Sequence, residues 1–120
     1  MRVFLTRDFA RFVRKERIKP AVLHEAIDRA QRGLIDADLG GGLIKQRVAR
    51  PGQGRSRSYR TIIAYRSGER GVFVYGFAKS ERDNIGDQEL AILKKAAQVL
   101  MAMTDGEVET SLAAKELTEI

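Results

Sequence analysis

Three short apolar runs occupy the middle of the chain, at residues 43–49, 59–66 and 71–79. Each is rich in β-branched and aromatic residues and is bounded by Gly, Pro or Ser, a pattern typical of β-strands. The connections between them, residues 50–58 and 67–70, are shorter than the dozen or more residues that a parallel crossover needs. The sequence therefore predicts an antiparallel three-strand meander at the centre of the fold.

The segments on either side of the meander are predicted from their spacing and their caps. Arg2 to Leu5 is short and apolar enough for an N-terminal edge strand. Two helices then follow, the first capped by Thr6 and the second beginning near Pro20, each with an apolar stripe at helical spacing. A third helix begins at Asp87, and Asp105-Gly106 is expected to end it.

Together these elements predict an α+β fold. Its antiparallel sheet contains the N-terminal edge strand and the meander, with an αα-hairpin on one face and a C-terminal helix. A chain of 120 residues can bury a single core, so we expect one domain over residues 1–106 and an acidic tail over residues 107–120. A marginal helix, a terminal strand and a docking segment are all compatible with that tail.

Positive charge is concentrated on the predicted meander. The chain has a net charge of +6, and residues 43–82 contain 10 Lys or Arg but only 2 acidic residues. Such a field suits phosphate or an acidic protein partner. A half-exposed sheet face whose charges serve only solubility is the alternative. The absence of cysteine fits a reducing cytoplasm, and no run is long enough to span a membrane.

Alternation along the strands separates the apolar from the charged side chains. In one arrangement the helices cover Ile44, Val48, Ile63, Tyr65, Phe73, Tyr75 and Phe77. The opposite face then has a floor of small residues, which are Ala64, Val74, Gly76 and Ala78. Lys45, Arg47 and Arg60 stand at the rim of that floor. This face is predicted to admit a polyanion.

Any chemistry on this face would depend on Lys and Arg, without a metal or another cofactor. The only histidine, His24, falls beside the apolar stripe of the second helix, and no paired carboxylate or metal-ligand cluster accompanies the cations. Arg binds phosphate in a bidentate manner, and a Lys crowded by other cations can act as a base near neutral pH. Lys45, two residues from Arg47, is therefore the candidate base for phosphodiester cleavage by an internal 2′-hydroxyl.

Three motifs in order resemble the RelE/HigB-type toxins of the RelE/ParE superfamily, from bacterial type II toxin–antitoxin systems. They are Gly42-Leu43-Ile44-Lys45-Gln46-Arg47-Val48-Ala49, Ser58-Tyr59-Arg60 and Gly76-Phe77-Ala78-Lys79-Ser80-Glu81-Arg82-Asp83-Asn84-Ile85. The resemblance implies a RelE-like fold and a cytoplasmic endoribonuclease that cuts mRNA on the ribosome and so inhibits translation. A cognate antitoxin would neutralise it, and operator DNA is a candidate ligand of the toxin–antitoxin complex.

The resemblance also implies catalytic residues, which are Lys45, Arg47, Arg60, Lys79 and Arg82. Four further arginines of the basic central segment are the candidates for RNA binding: Arg50, Arg55, Arg57 and Arg66. Ser80 replaces the second cation of a Lys-Arg step in the family, and Arg82 is the expected substitute. Gly86 stands where some members carry a base-stacking Tyr. Two other functions stay open: a ParE-like toxin that inhibits a topoisomerase, and a non-catalytic module that binds RNA or an acidic peptide.

Overall fold

The predicted meander forms the middle of a six-stranded sheet in the computed structural model, which describes residues 1–50, 58–82 and 84–120. The elements in chain order are β1 (Arg2–Thr6), α1 (Arg7–Glu16), α2 (Pro20–Gln31), β2 (Ala37–Gly40), β3 (Leu43–Val48), β4 (Tyr59–Arg66), β5 (Arg70–Ala78), α3 (Asp87–Ala102), α4 (Asp105–Ala113) and β6 (Leu117–Glu119). The strand order is β2-β3-β4-β5-β1-β6. The predicted α+β class is confirmed.

The prediction that β1 lies at a sheet edge is wrong. β1 pairs in parallel with β5 and in antiparallel with β6, which covers the side that would otherwise be free. Arg2 fastens this pairing, because its Nε and Nη2 donate to the two carboxylate oxygens of Glu119, both at 2.9 Å. The acidic segment after residue 106 therefore contributes a strand to the sheet.

The expected stop at Asp105-Gly106 is also wrong. The third helix, α3, already ends at Ala102, and these two residues open α4. Thr104 caps the new helix, since its hydroxyl accepts from the backbone N–H of Glu107 and the Glu107 carboxylate accepts from the N–H of Thr104. The segment from Thr104 to Glu107 thus carries a capping box, which is a start signal for a helix.

Two apolar layers enclose the sheet. On the first face, α1 and α2 cover Ile44, Val48, Ile63 and Phe73, with Tyr65 packed at the margin, as predicted. On the second face, α3 and α4 cover Leu43, Ile62, Ala64, Val72 and Val74. None of the described helices is long and apolar enough to cross a membrane.

A β-bulge in β5 reverses the predicted orientation of two aromatic residues. Ile62 pairs with Tyr75, whereas the next residue of β4, Ile63, pairs with Phe73, so Val74 is the extra residue. Because side chains alternate along a strand, one extra residue shifts all later side chains to the opposite face. Tyr75 and Phe77 therefore lie on the second face, not under the αα-hairpin.

The predicted floor of small residues is wrong, because helices cover part of it and the bulge turns the rest to the first face. Ala64 and Val74 are buried in the second apolar layer, and Ala78 is buried in the first. Gly76 lies directly under α1, where an added Cβ would come within 2.7 Å of Phe12 Cε2. At this end of the sheet the second face instead carries Tyr75, which is half-buried, and Phe77, which is buried.

Candidate functional site

Two rows of paired residues cross strands β3, β4 and β5 near one end of the sheet. One row is Lys45–Ile62–Tyr75, and the neighbouring row is Arg47–Arg60–Phe77. Strands lie about 4.8 Å apart, so each row spans roughly 10 Å. Both rows point to the second face, and we use the name basic face for Lys45, Arg47, Arg60, Tyr75, Phe77 and Arg82.

Gln46 fixes the outward direction of its two neighbours, Lys45 and Arg47. Its side chain is completely buried on the first face, where the amide nitrogen donates to Ala26 O at 3.0 Å and Leu34 O at 3.2 Å. Its amide oxygen accepts from the backbone N–H of Asp36 at 2.7 Å. A strand residue held in this way turns the residues before and after it to the opposite face.

Asp36 moderates the charge of Arg47. One carboxylate oxygen accepts from the Arg47 backbone N–H at 2.7 Å, and the other lies 3.5 Å from Arg47 Nη2. Half of the Arg47 side chain remains exposed. Arg47 can therefore contact a ligand, but it does so as part of an ion pair.

Arg60 is positioned by the residues immediately before it. Its Nη1 donates to the hydroxyl of Ser58, which is buried. Tyr59 is buried on the first face, where its hydroxyl donates to Glu16 at 2.9 Å. Burial, followed by this hydrogen bond, raises the pKa of Tyr59 above its ordinary value. The tyrosine stays protonated at neutral pH and anchors the start of β4.

Arg82 is the most constrained cation of the basic face. Its guanidinium lies over the rings of Tyr75 and Phe77, at 5.9 and 5.6 Å from their centroids. Nη1 donates to Tyr75 Oη at 3.0 Å and to Glu89 Oε2 at 3.1 Å, and Nη2 donates to Glu89 Oε1 at 2.7 Å. Nε donates to Asn84 O at 2.9 Å. The fork to Glu89 raises the pKa of Arg82, and it is also the main reason that the pKa of Glu89 is lowered.

A comparison with known protein families identifies the family of this chain. The model of the RelE toxin of the RelE/RelB toxin–antitoxin system matches residues 1–120. The chain belongs to the RelE toxin family. Toxins of this family are generally endoribonucleases, and the match implies a cognate antitoxin of the RelB type. No curated protein matches the chain.

The RelE-family toxin brings some of the predicted site residues together. Lys45, Arg47, Arg60 and Arg82 share the basic face, while Lys79 is exposed in the turn that follows β5. Arg66 is not brought there, because six residues of an extended strand, or roughly 20 Å, separate it from Arg60. It pairs instead with Glu69 at 3.4 Å.

The remaining predicted RNA-binding residues of the toxin lie near or beyond the limits of the described chain. Arg50 stands over the Tyr59 ring, 5.4 Å from its centroid, on the side of the sheet that α1 covers. Arg55 and Arg57 lie outside the described residues.

Sequence reasoning missed Tyr75, Phe77 and Glu89 as members of this site. No signal in β5 indicates the bulge at Val74 that turns the two aromatic residues to the second face. Glu89 did carry a signal, because an acidic residue in the first turn of α3 is expected to suit the helix dipole. Its pairing with Arg82 depends on the angle at which α3 meets β5, which the sequence does not specify.

Proposed function

We propose that this toxin is a metal-independent endoribonuclease that cuts mRNA on the ribosome and thereby inhibits translation. The observation that carries the proposal is the pair of rows that sets Lys45, Arg47 and Arg60 on one face beside the half-buried Tyr75. Cations of this kind bind phosphate, and an accessible aromatic side chain suits an unpaired base. Membership of the RelE family supports ribonuclease activity over a purely electrostatic surface.

In the proposed reaction, Lys45 is the general base. Lys45 and Arg60 are diagonal neighbours on adjacent strands, a relation that sets their backbones roughly 7–8 Å apart and lets both long side chains reach one phosphate. Lys45 takes the proton of the 2′-hydroxyl, and the 2′-oxygen attacks the phosphorus. The bond from phosphorus to the 5′-oxygen breaks, and that oxygen takes a proton from water. The products are a 2′,3′-cyclic phosphate and a 5′-hydroxyl.

Arg60 and Arg47 stabilise the negative charge that grows on the phosphoryl oxygens. Removal of one such donor commonly costs a factor of roughly 100 to 1,000 in rate. Arg47, already paired with Asp36, has the weaker field of the two. We therefore assign the larger share of this stabilisation to Arg60.

Lys79 and three of the four outer arginines are proposed to bind the mRNA on either side of the cut. Lys79 and Arg50 flank the end of the sheet that carries the basic face. Arg55 and Arg57 belong to the connection between β3 and β4, the strands that carry Lys45 and Arg60. Arg66, at the distant end of β4, suits ribosomal RNA better than the scissile nucleotide. The toxin would act in the cytoplasm, and its complex with the antitoxin would bind operator DNA.

The test is induced expression of the toxin with primer-extension mapping of translated mRNA. Wild-type toxin should arrest growth and leave cuts inside open reading frames, and the double variant Lys45→Ala/Arg60→Ala should do neither. Arg11→Ala/Lys95→Ala is the matched control, because both residues are exposed cations on helices. Growth arrest that persists in the Lys45/Arg60 variant without mRNA cuts would refute the nuclease and favour inhibition of a topoisomerase.

A further inference from the structure

Arg82 has few hydrogen-bond donors left for a substrate. A guanidinium offers five N–H groups, and four of them are directed at Asn84 O, Tyr75 Oη and the two oxygens of Glu89. A bidentate contact with phosphate would require the fork to Glu89 to open. The Arg82 guanidinium therefore lies at the basic face, but its hydrogen bonds are made within the protein.

One of the groups that Arg82 holds by a hydrogen bond at the basic face is the hydroxyl of Tyr75. This oxygen accepts from Arg82 Nη1 at 3.0 Å, so its own hydrogen is free to point elsewhere. Among the described residues, the Tyr75 hydroxyl accepts this hydrogen bond and donates none. Tyr75 is half-buried, and it shares its row with Lys45.

The other two tyrosines of the chain are arranged differently. Tyr59 uses its hydrogen to bond Glu16 within the first apolar layer. Tyr65 lies at the margin of that layer, and its buried hydroxyl has no partner in the described part of the chain. The Tyr75 hydroxyl differs from both. Its oxygen accepts a hydrogen bond from Arg82, its hydrogen can be donated to a ligand, and it lies on the basic face.

We propose that Tyr75 is a catalytic residue whose hydroxyl donates a hydrogen bond to a phosphoryl oxygen of the scissile phosphodiester. Arg82 and Glu89 are then positioning residues: Glu89 holds the guanidinium, and the guanidinium holds the phenol. This inference rests on the proposed ribonuclease function and assigns to it a donor that is neither Lys nor Arg.

Glu89 is suited to this task because it is itself fixed. Its Oε1 also accepts from the backbone N–H of Gly86 at 3.2 Å, in the capping box that begins α3. The helix start, the carboxylate, the guanidinium and the phenol therefore form one connected chain of hydrogen bonds. A displacement of the start of α3 would therefore displace the Tyr75 hydroxyl as well.

The experiment measures the rate of mRNA cleavage on programmed ribosomes by purified full-length toxin. Tyr75→Phe removes one oxygen, and we expect a loss of about 100-fold, the lower end of the cost of removing one donor to a charged transition state. Tyr65→Phe is the matched control and should cleave at the wild-type rate, because its hydroxyl lies on the other face.

The positioning role is tested by a double-variant cycle. Glu89→Gln should lower the rate by roughly 10-fold through misplacement of the hydroxyl. In the Tyr75→Phe background the same substitution should have no further effect, because there is no hydroxyl left to place. Melting temperatures of all variants separate this effect from loss of folded protein, and Glu25→Gln, which breaks the surface pair of Glu25 with Arg29, is the control for a lost ion pair.

Each outcome bears on the inference. Cleavage by Tyr75→Phe at the wild-type rate would overturn the role of Tyr75 as a donor. The proposed nuclease function would be unaffected by that result, because the wild-type toxin would still cut mRNA. Equal losses from Glu89→Gln with and without the hydroxyl would overturn the positioning role. No cuts by wild-type toxin would refute the nuclease, and this inference would fall with it.

Discussion

Gln46 supports both the fold and the basic face, and replacing it with Leu tests its contribution to the stability of the fold. The substitution keeps the volume of the side chain but removes hydrogen bonds to Ala26 O, Leu34 O and the N–H of Asp36. Each such bond contributes about 1 kcal/mol net, so the three together predict a loss of roughly 3 kcal/mol in the free energy of unfolding. Domains of this size have total stabilities of only about 5–15 kcal/mol.

Urea unfolding followed by circular dichroism measures this loss. With an m-value of about 1.5 kcal/mol/M, the midpoint for Gln46→Leu should fall by roughly 2 M at unchanged slope. Gln98→Leu, an exposed position on α3, is the control and should change stability by less than about 0.5 kcal/mol. A loss below about 1 kcal/mol at Gln46 would refute the reasoning, because it would mean that the three partners find other hydrogen bonds at little cost.

Three further predictions concern the packing and the ends of the sheet. Gly76→Ala should cost about 1–3 kcal/mol in urea unfolding, because its Cβ would meet Phe12 and Phe9 at 2.7 and 2.9 Å. Gly106→Ala should not destabilise, because its Cβ would come no nearer than 3.9 Å to Thr104 Oγ1. Glu119→Gln should speed amide exchange in β6 selectively, since Arg2 would keep Glu109 but lose the ionised partner that lies on β6; equal exchange in both proteins would exclude this anchor. Because the pKa of Glu119 is lowered in the folded protein, its stabilising contribution is present above the ordinary Glu pKa and is lost as pH falls through the folded value. The difference in melting temperature between wild type and Glu119→Gln should therefore close in acid, and a difference that persists there would contradict the linkage.

The elements that follow from local pattern were predictable from the sequence. The meander has alternating residues and short connections, α1 has a Thr6 cap that accepts from the Phe9 N–H, and α2 begins at Pro20. Alternation alone also placed Lys45, Arg47 and Arg60 on one face, since β3 and β4 pair without an irregularity. Local rules were sufficient wherever the local period continued unbroken.

The features that depend on distant contacts were not predictable. β6 is three residues long, and it becomes a strand because β1 offers it an edge more than one hundred positions earlier in the chain. Glu89 reaches Arg82 only because α3 packs back over the sheet. The bulge at Val74 changes the register of a strand whose composition gives no sign of it. Each of these three features is determined by tertiary packing and not by the local sequence.

Because of the bulge, the number of residues in β5 matters more to the arrangement of its two faces than the identity of most of those residues. Deletion of Val74 would restore regular alternation, turn Tyr75 and Phe77 into the aromatic layer under α1, and return Gly76 and Ala78 to the outer surface. Loss of one small apolar residue would thus exchange two surfaces at once, although no charged or aromatic side chain had been altered. For chains of this kind, a one-residue gap in the third meander strand is a larger functional change than most substitutions there. A sequence alignment that misplaces a gap at this position therefore compares residues of the first face with residues of the second face.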